Sequence, residues 1–153
     1  MAITLSEVHI LWSGSADTDV VGAGSSEQSL EYNPDATCVA ASITLKAEYT
    51  SGAPASDDTI YFRLLRTNGD PDDSTAGTDE FDTALASSIP GGGRILAVLN
   101  LSTGETSGSG KKVVQTVTLP LPFKGAKIQA EGITAGSTNG ITVSAVVTEQ
   151  RAA

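Results

Sequence analysis

Strict two-residue alternation over thirteen residues, "CVAASITLKAEYT" from Cys38 to Thr50, is the strongest constraint on what this chain can fold into. Val39, Ala41, Ile43, Leu45, Ala47 and Tyr49 point one way, while Ala40, Ser42, Thr44, Lys46 and Glu48 point the other. A period of two over this length specifies a strand with one buried and one wetted face. "TIYFRLLR" repeats the pattern, with Ile60, Phe62 and Leu64 opposite Tyr61, Arg63 and Leu65. "KVVQTVTL" and "GITVSAVVTEQ" alternate as well, and "AKIQAEGI" does so weakly. "RILAVLNL" is apolar on both sides, which predicts a central or doubly covered strand. With "ITLSEVHILW" and the short "QSLEY" upstream, the chain offers about eight strands.

The connections are rich in Gly, Ser, Asp and Pro, and Asn139-Gly140 is a strong hairpin signal. One helical stretch is predicted, with Thr78 capping "DEFDTALASS" inside the long connection of residues 67–93. The expected fold is therefore all-β: a two-sheet antiparallel sandwich, jelly-roll-like, with about eight strands and one short helical insertion. Strand count leaves an immunoglobulin-like topology open, although the Cys–Trp–Cys framework of antibody domains is absent. The expected core comprises Val39, Ile43, Leu45, Ile60, Phe62, Leu64, Ile95, Leu99, Val117, Ile141 and Val143. At 153 residues, a single sandwich domain over 1–153 accounts for the whole length, with residues 1–33 forming an arm or edge strands.

Charge restricts partners. Eighteen acidic against nine basic residues give −9, which disfavours nucleic acid over most of the surface. The balance is uneven: residues 1–93 carry 15 acids and 3 bases, and residues 94–153 carry 3 acids and 6 bases. Such a molecule can present unlike faces to copies of itself or to a partner of mixed charge. No apolar run approaches the roughly 18 residues of a membrane span, and the N-terminus lacks the basic start of a secretory signal. A soluble protein without membrane partners is expected.

Candidate chemistry fails at each place it is sought. In "RTNGDPDDSTAGTDEFD", Asn68, Asp70 and Asp72 alternate like calcium ligands, but the sixth position from Asn68 is Asp73 rather than Gly, and Pro71 stiffens the turn. The stretch reads as a surface interaction loop. His9 is the only histidine and Cys38 the only cysteine, so neither a multi-histidine metal site nor a disulfide can form. A Cys38–His9 nucleophile pair is conceivable, with a packed thiol the favoured reading. "IPGGGR" lacks the Lys-Ser/Thr and the helix of a phosphate loop. Asp57, Asp58 and the loop acids lack an aromatic wall. No catalytic, cofactor-binding or metal residue is assigned, no cofactor is implied, and the chain is read as non-enzymatic.

A short acidic β-rich chain beginning "MAITLSEVHILWSG", rich in Ala, Gly, Ser and Thr and without catalytic signatures, resembles the capsid decoration (cement) proteins of tailed bacteriophages. The resemblance spans the whole chain and transfers no individual residue. It implies a structural virion protein on the capsid exterior, made in the host cytoplasm. It further implies a homotrimer that binds the major capsid protein at subunit junctions and stabilises the shell. The alternative is a receptor- or carbohydrate-binding module of a head or tail fibre, which requires Trp12, Tyr32 and Tyr61 to be exposed together.

Overall fold

The structure, a computed structural model, describes residues 2–12, 14–22, 24–49, 59–67, 94–101, 105–107, 110–132 and 141–153. Among these residues ten strands make two antiparallel sheets: β1 (Ile3–His9), β2 (Thr18–Val21), β3 (Ser26–Gln28), β4 (Cys38–Glu48), β5 (Thr59–Thr67), β6 (Arg94–Asn100), β7 (Glu105–Ser107), β8 (Gly110–Thr118), β9 (Gly125–Gly132) and β10 (Ile141–Ala152). One sheet runs β1-β10-β4-β8-β7 with β2 also on β10, and the other runs β3-β9-β5-β6. β1 pairs with the C-terminal part of β10 and β2 with its N-terminal part, so they behave as one edge strand interrupted by residues 10–17.

Counting β1 with β2, and β7 with β8, reduces the ten strands to eight positions. Their orders are then first-eighth-third-sixth and second-seventh-fourth-fifth. Each pairing of first with eighth, second with seventh, third with sixth and fourth with fifth is present, which is one long antiparallel ribbon rolled on itself. This is a jelly roll. The hand-over from β2 to β3 depends on close backbone approach. Gly24 adopts φ 68° and donates to Gly132 O, and a Cβ on Gly132 would stand 2.5 Å from Gly22 O.

The sheets close on Ile43, Leu45, Ile60, Phe62, Leu64, Leu99, Ile128, Val143 and Val147, all but inaccessible to water. Ile141 is buried as expected, and Val117 is partly buried against the core. Two expected core residues are exposed instead, Val39 at 56% and Ile95 at 46%. Both corrections have one cause. Opposite Gln150 and Arg151, β4 supplies Ala40 and Cys38 and skips Val39; opposite Phe62 and Arg63, β6 supplies Ala97 and Ile95 and skips Leu96. A bulge of one residue reverses which side chain faces inward, so Cys38 and Leu96 take the inward places.

A third correction concerns position. "RILAVLNL" forms β6, which among the described residues lies at the edge of its sheet, and Val98 and Ile95 are both exposed. Among the described residues β9, whose sequence alternates only weakly, is buried on both faces over nearly its whole length, and β5 beside it is buried on both faces from Phe62 to Leu65. The predicted helix at 78–88 and the turn at Asn139-Gly140 lie outside the described residues.

Candidate functional site

The end of the sandwich near the close of β10 holds a buried polar cluster. Parity turns Val143, Ala145 and Val147 into the core and then does the same to Glu149, whose side chain is sealed from water. Tyr32 Oη donates to Glu149 Oε1 at 2.5 Å, and the Asp35 N–H donates to the same oxygen at 3.2 Å. Arg151 Nε donates to Oε2 at 2.6 Å, with Nη2 also at 2.6 Å. Asp35 completes the group, with Oδ2 at 3.5 Å from Arg151 Nη1 and Oδ1 accepting from the Thr37 N–H and hydroxyl. The Tyr32 ring meets Phe123 edge to face.

Burial favours a protonated Glu149, but the bonds from Tyr32, Arg151 and the Asp35 backbone outweigh it and hold the carboxyl below its ordinary value. Burial first, and then the bond to Glu149, pushes the Tyr32 phenol far above its usual range. Hydrogen bonds from Thr37 keep Asp35 low. Both Glu149 oxygens are engaged, so the arrangement suits a clasp. It ties the segment before β4 to the last strand, whose residues lie more than a hundred positions away.

A second buried pair lies on the face of β5 and β9 turned away from the core. Arg63 Nε stands 3.2 Å from Glu131 Oε2, with Leu65 and Gln129 also buried on that side. The Gln129 carbonyl oxygen has no hydrogen-bond partner.

The outward face of the six-stranded sheet is small and hydroxylic where strand registers align Thr148, Ser42 and Thr118, then Val146, Thr44 and Thr116. Thr44 and Thr116 share a hydrogen bond of 2.8 Å. At one corner this face turns apolar: Ile3 is 55% and Leu5 70% exposed, and Val39 stands out at the bulge beside Ala40, which aligns through Gln150 with Leu5.

His9 and Cys38 are not brought together. His9 aligns with Val146 on the outward face, whereas Cys38 aligns with Arg151 and packs against the core. Five residues of β10 separate those levels, about 16 Å of strand. The Cys38 thiol donates to Ala40 O, and burial raises its pKa, both marks of a quiet thiol. His9 instead stands exposed, 4.0 Å from Asp17. Trp12 and Tyr32 are core residues and Tyr61 is only half-buried, so these three form no exposed platform. Asp57, Asp58, Asn68, Asp70, Asp72, Asp73 and the glycines of "IPGGGR" lie outside the described residues. Among the described residues no group of three or more His, Cys, Asp or Glu is placed to hold a metal ion.

Sequence reasoning missed Glu149 and Glu131 as buried acids. The signal was present for Glu149, an acid at the inward parity of a strand whose other inward residues are apolar.

No protein-family model matches the chain, and no curated protein matches it. Among solved structures it is similar to that of infectious bursal disease virus Gx strain, at 13% identity and a TM-score of 0.44. That match covers 99% of this chain and 33% of the other. The structure of the Gt strain of the same virus gives 11% identity and a TM-score of 0.43, covering 97% and 32%. The chain thus spans about a third of the length of these neighbours. At such scores the likeness decides neither kinship nor role.

Proposed function

We propose that this protein is a non-enzymatic structural component of a phage virion, decorating the capsid exterior and stabilising it at junctions between major capsid protein subunits. The observation that carries the reading is the six-stranded sheet, whose outward face is small and hydroxylic across the Thr148–Ser42–Thr118 and Val146–Thr44–Thr116 rows, is charged at Glu7, Lys46, Glu48 and Lys112, and ends in the apolar corner of Ile3, Leu5 and Val39. A broad, stiff face of small side chains suits contact with a large flat surface, and repetition over a shell makes weak contacts add. The one nucleophile pair sought among the described residues supports the same reading, since His9 and Cys38 stand on different faces, and the buried Glu149 has both oxygens engaged. The resemblance to decoration proteins supplies the identity of the surface. The fold alone does not, because jelly rolls serve many functions. The fibre-module alternative loses its aromatic platform with Trp12 and Tyr32 in the core.

Co-sedimentation tests the proposal. Purified protein is mixed with assembled shells that lack it and, separately, with unassembled major capsid protein. Saturable binding to shells, with little to free subunits, is expected. Equal binding to both, or none to shells, would refute it.

A further inference from the structure

We propose that β1 is a docking strand for a second copy of this chain, the two β1 strands pairing antiparallel about a two-fold axis through Leu5. The inference stands independently of the capsid reading and begins from the direction of the backbone groups. Ala153 N donates to Ala2 O and Ile10 N donates to Ala145 O, at the two ends of the β1–β10 ladder. In an antiparallel ladder, bonded pairs alternate along the strand. The even-numbered residues of β1 therefore turn their N–H and C=O toward β10. Ile3, Leu5, Glu7 and His9 turn theirs to the opposite edge, where no strand pairs among the described residues.

Among the described residues that edge lacks most of the usual protections, with Glu7 as its single formal charge. It is seven residues long, carries no Lys or Pro, and its outward side chains include the 70%-exposed Leu5 and the 55%-exposed Ile3. Toward its C-terminal end Val8 and His9 enter a groove of about 360 Å³ shared with Leu30, Glu31, Tyr32 and Asn33, so Ile3–Glu7 is the stretch open to an added strand.

The same five residues are complementary to themselves. With the axis through Leu5, Ile3 faces the second copy's Glu7, Thr4 faces Ser6, and Leu5 faces Leu5. Every outward N–H and C=O of Ile3, Leu5 and Glu7 then finds a reciprocal partner. The most exposed apolar side chain is covered by its own copy, and Ile3 lies along the Glu7 stem. The two Glu7 carboxylates sit four residues apart along the ladder, about 14 Å, beyond the screening length of about 8 Å at physiological salt. An axis through Glu7 would set them directly opposite, which like charges oppose. The pairing joins two six-stranded sheets into one continuous sheet, by strand addition. Its two-fold symmetry differs from the trimer that the resemblance to decoration proteins implies.

Sedimentation velocity of the full chain over a wide concentration range tests this, with Leu5→Pro and Leu5→Lys as variants. The Leu5 N–H faces away from β10, so Pro there removes an outward donor and leaves the chain's own ladder in place. Lys keeps the donor and sets two like charges together. Wild type should show a concentration-dependent monomer–dimer equilibrium, and both variants should associate at least tenfold more weakly while keeping a β-sheet circular-dichroism spectrum. A wild type that stays monomeric, forms a trimer, or dimerises as well with either folded variant would overturn the proposal. A monomer whose shell binding is lost in Leu5→Pro would overturn it too, assigning the edge to a strand of the shell protein. A dimer that binds no shell would support the pairing and count against decoration alone.

Discussion

Replacing Tyr32 with Phe isolates one bond of the clasp and leaves its packing in place. The ring stays in the core and keeps its edge-to-face contact with Phe123, while the 2.5 Å hydrogen bond to Glu149 is lost. Hydrogen bonds to charged groups contribute about 1.5–3 kcal/mol. Glu149 Oε1 keeps the longer bond from the Asp35 N–H, so it is not left wholly unpaired. For a chain of this size the loss corresponds to a fall in melting temperature of roughly 3–12 °C at neutral pH.

The pH dependence carries the sharper test. The Tyr32 bond helps to depress the Glu149 pKa in the folded state, relative to an ordinary value of 4.5. A depressed folded pKa gives stability that is fully present above the unfolded value and is lost as pH falls through the folded one. The gap between wild type and Tyr32→Phe should therefore be constant above about pH 5 and narrow as the solution is acidified further. Urea unfolding of both proteins at a series of pH values measures it. A gap that is absent at neutral pH, or that persists unchanged in acid, would refute the reasoning.

Two other outcomes follow from the structure and one from the sequence. Phe62→Ala, at a position with no solvent exposure, should cost about 3–5 kcal/mol in urea unfolding. Glu131→Gln should cost about 3–5 kcal/mol because it leaves Arg63 buried without its charge partner, and exchanging both for apolar residues of similar volume should recover most of the loss. The acidic stretch of residues 66–82 should bind no calcium that matters to the fold, so calorimetry at millimolar calcium should show no saturable heat and a chelator should leave the melting temperature unchanged.

Much of the sandwich is legible in the sequence because burial on one face writes a period of two into each strand. Ile43, Leu45, Phe62, Leu64 and Val143 fall where alternation puts them. Val39 and Ile95 do not, because a bulge is fixed by how neighbouring strands pair, and local periodicity carries no record of that. The edge position of β6 is hidden for a related reason: two apolar faces describe a buried strand and an outward-facing sticky one equally well. The clasp was half-written. Glu149 stands at an inward position, but its partner Tyr32 is 117 residues away, and only the closed fold brings them together. The apolar corner was hidden by the β4 bulge, since Val39 joins Ile3 and Leu5 only once that bulge is known.

Stabilisation of a shell is the central claim, and it is measured most directly on the particle. Virions stripped of this protein are compared with the same virions after purified protein is added back, following genome release as temperature rises. Stripped particles should fail at lower temperature, and re-addition should restore the original value in proportion to occupancy. Stripped and re-decorated particles that fail at the same temperature would contradict the claim.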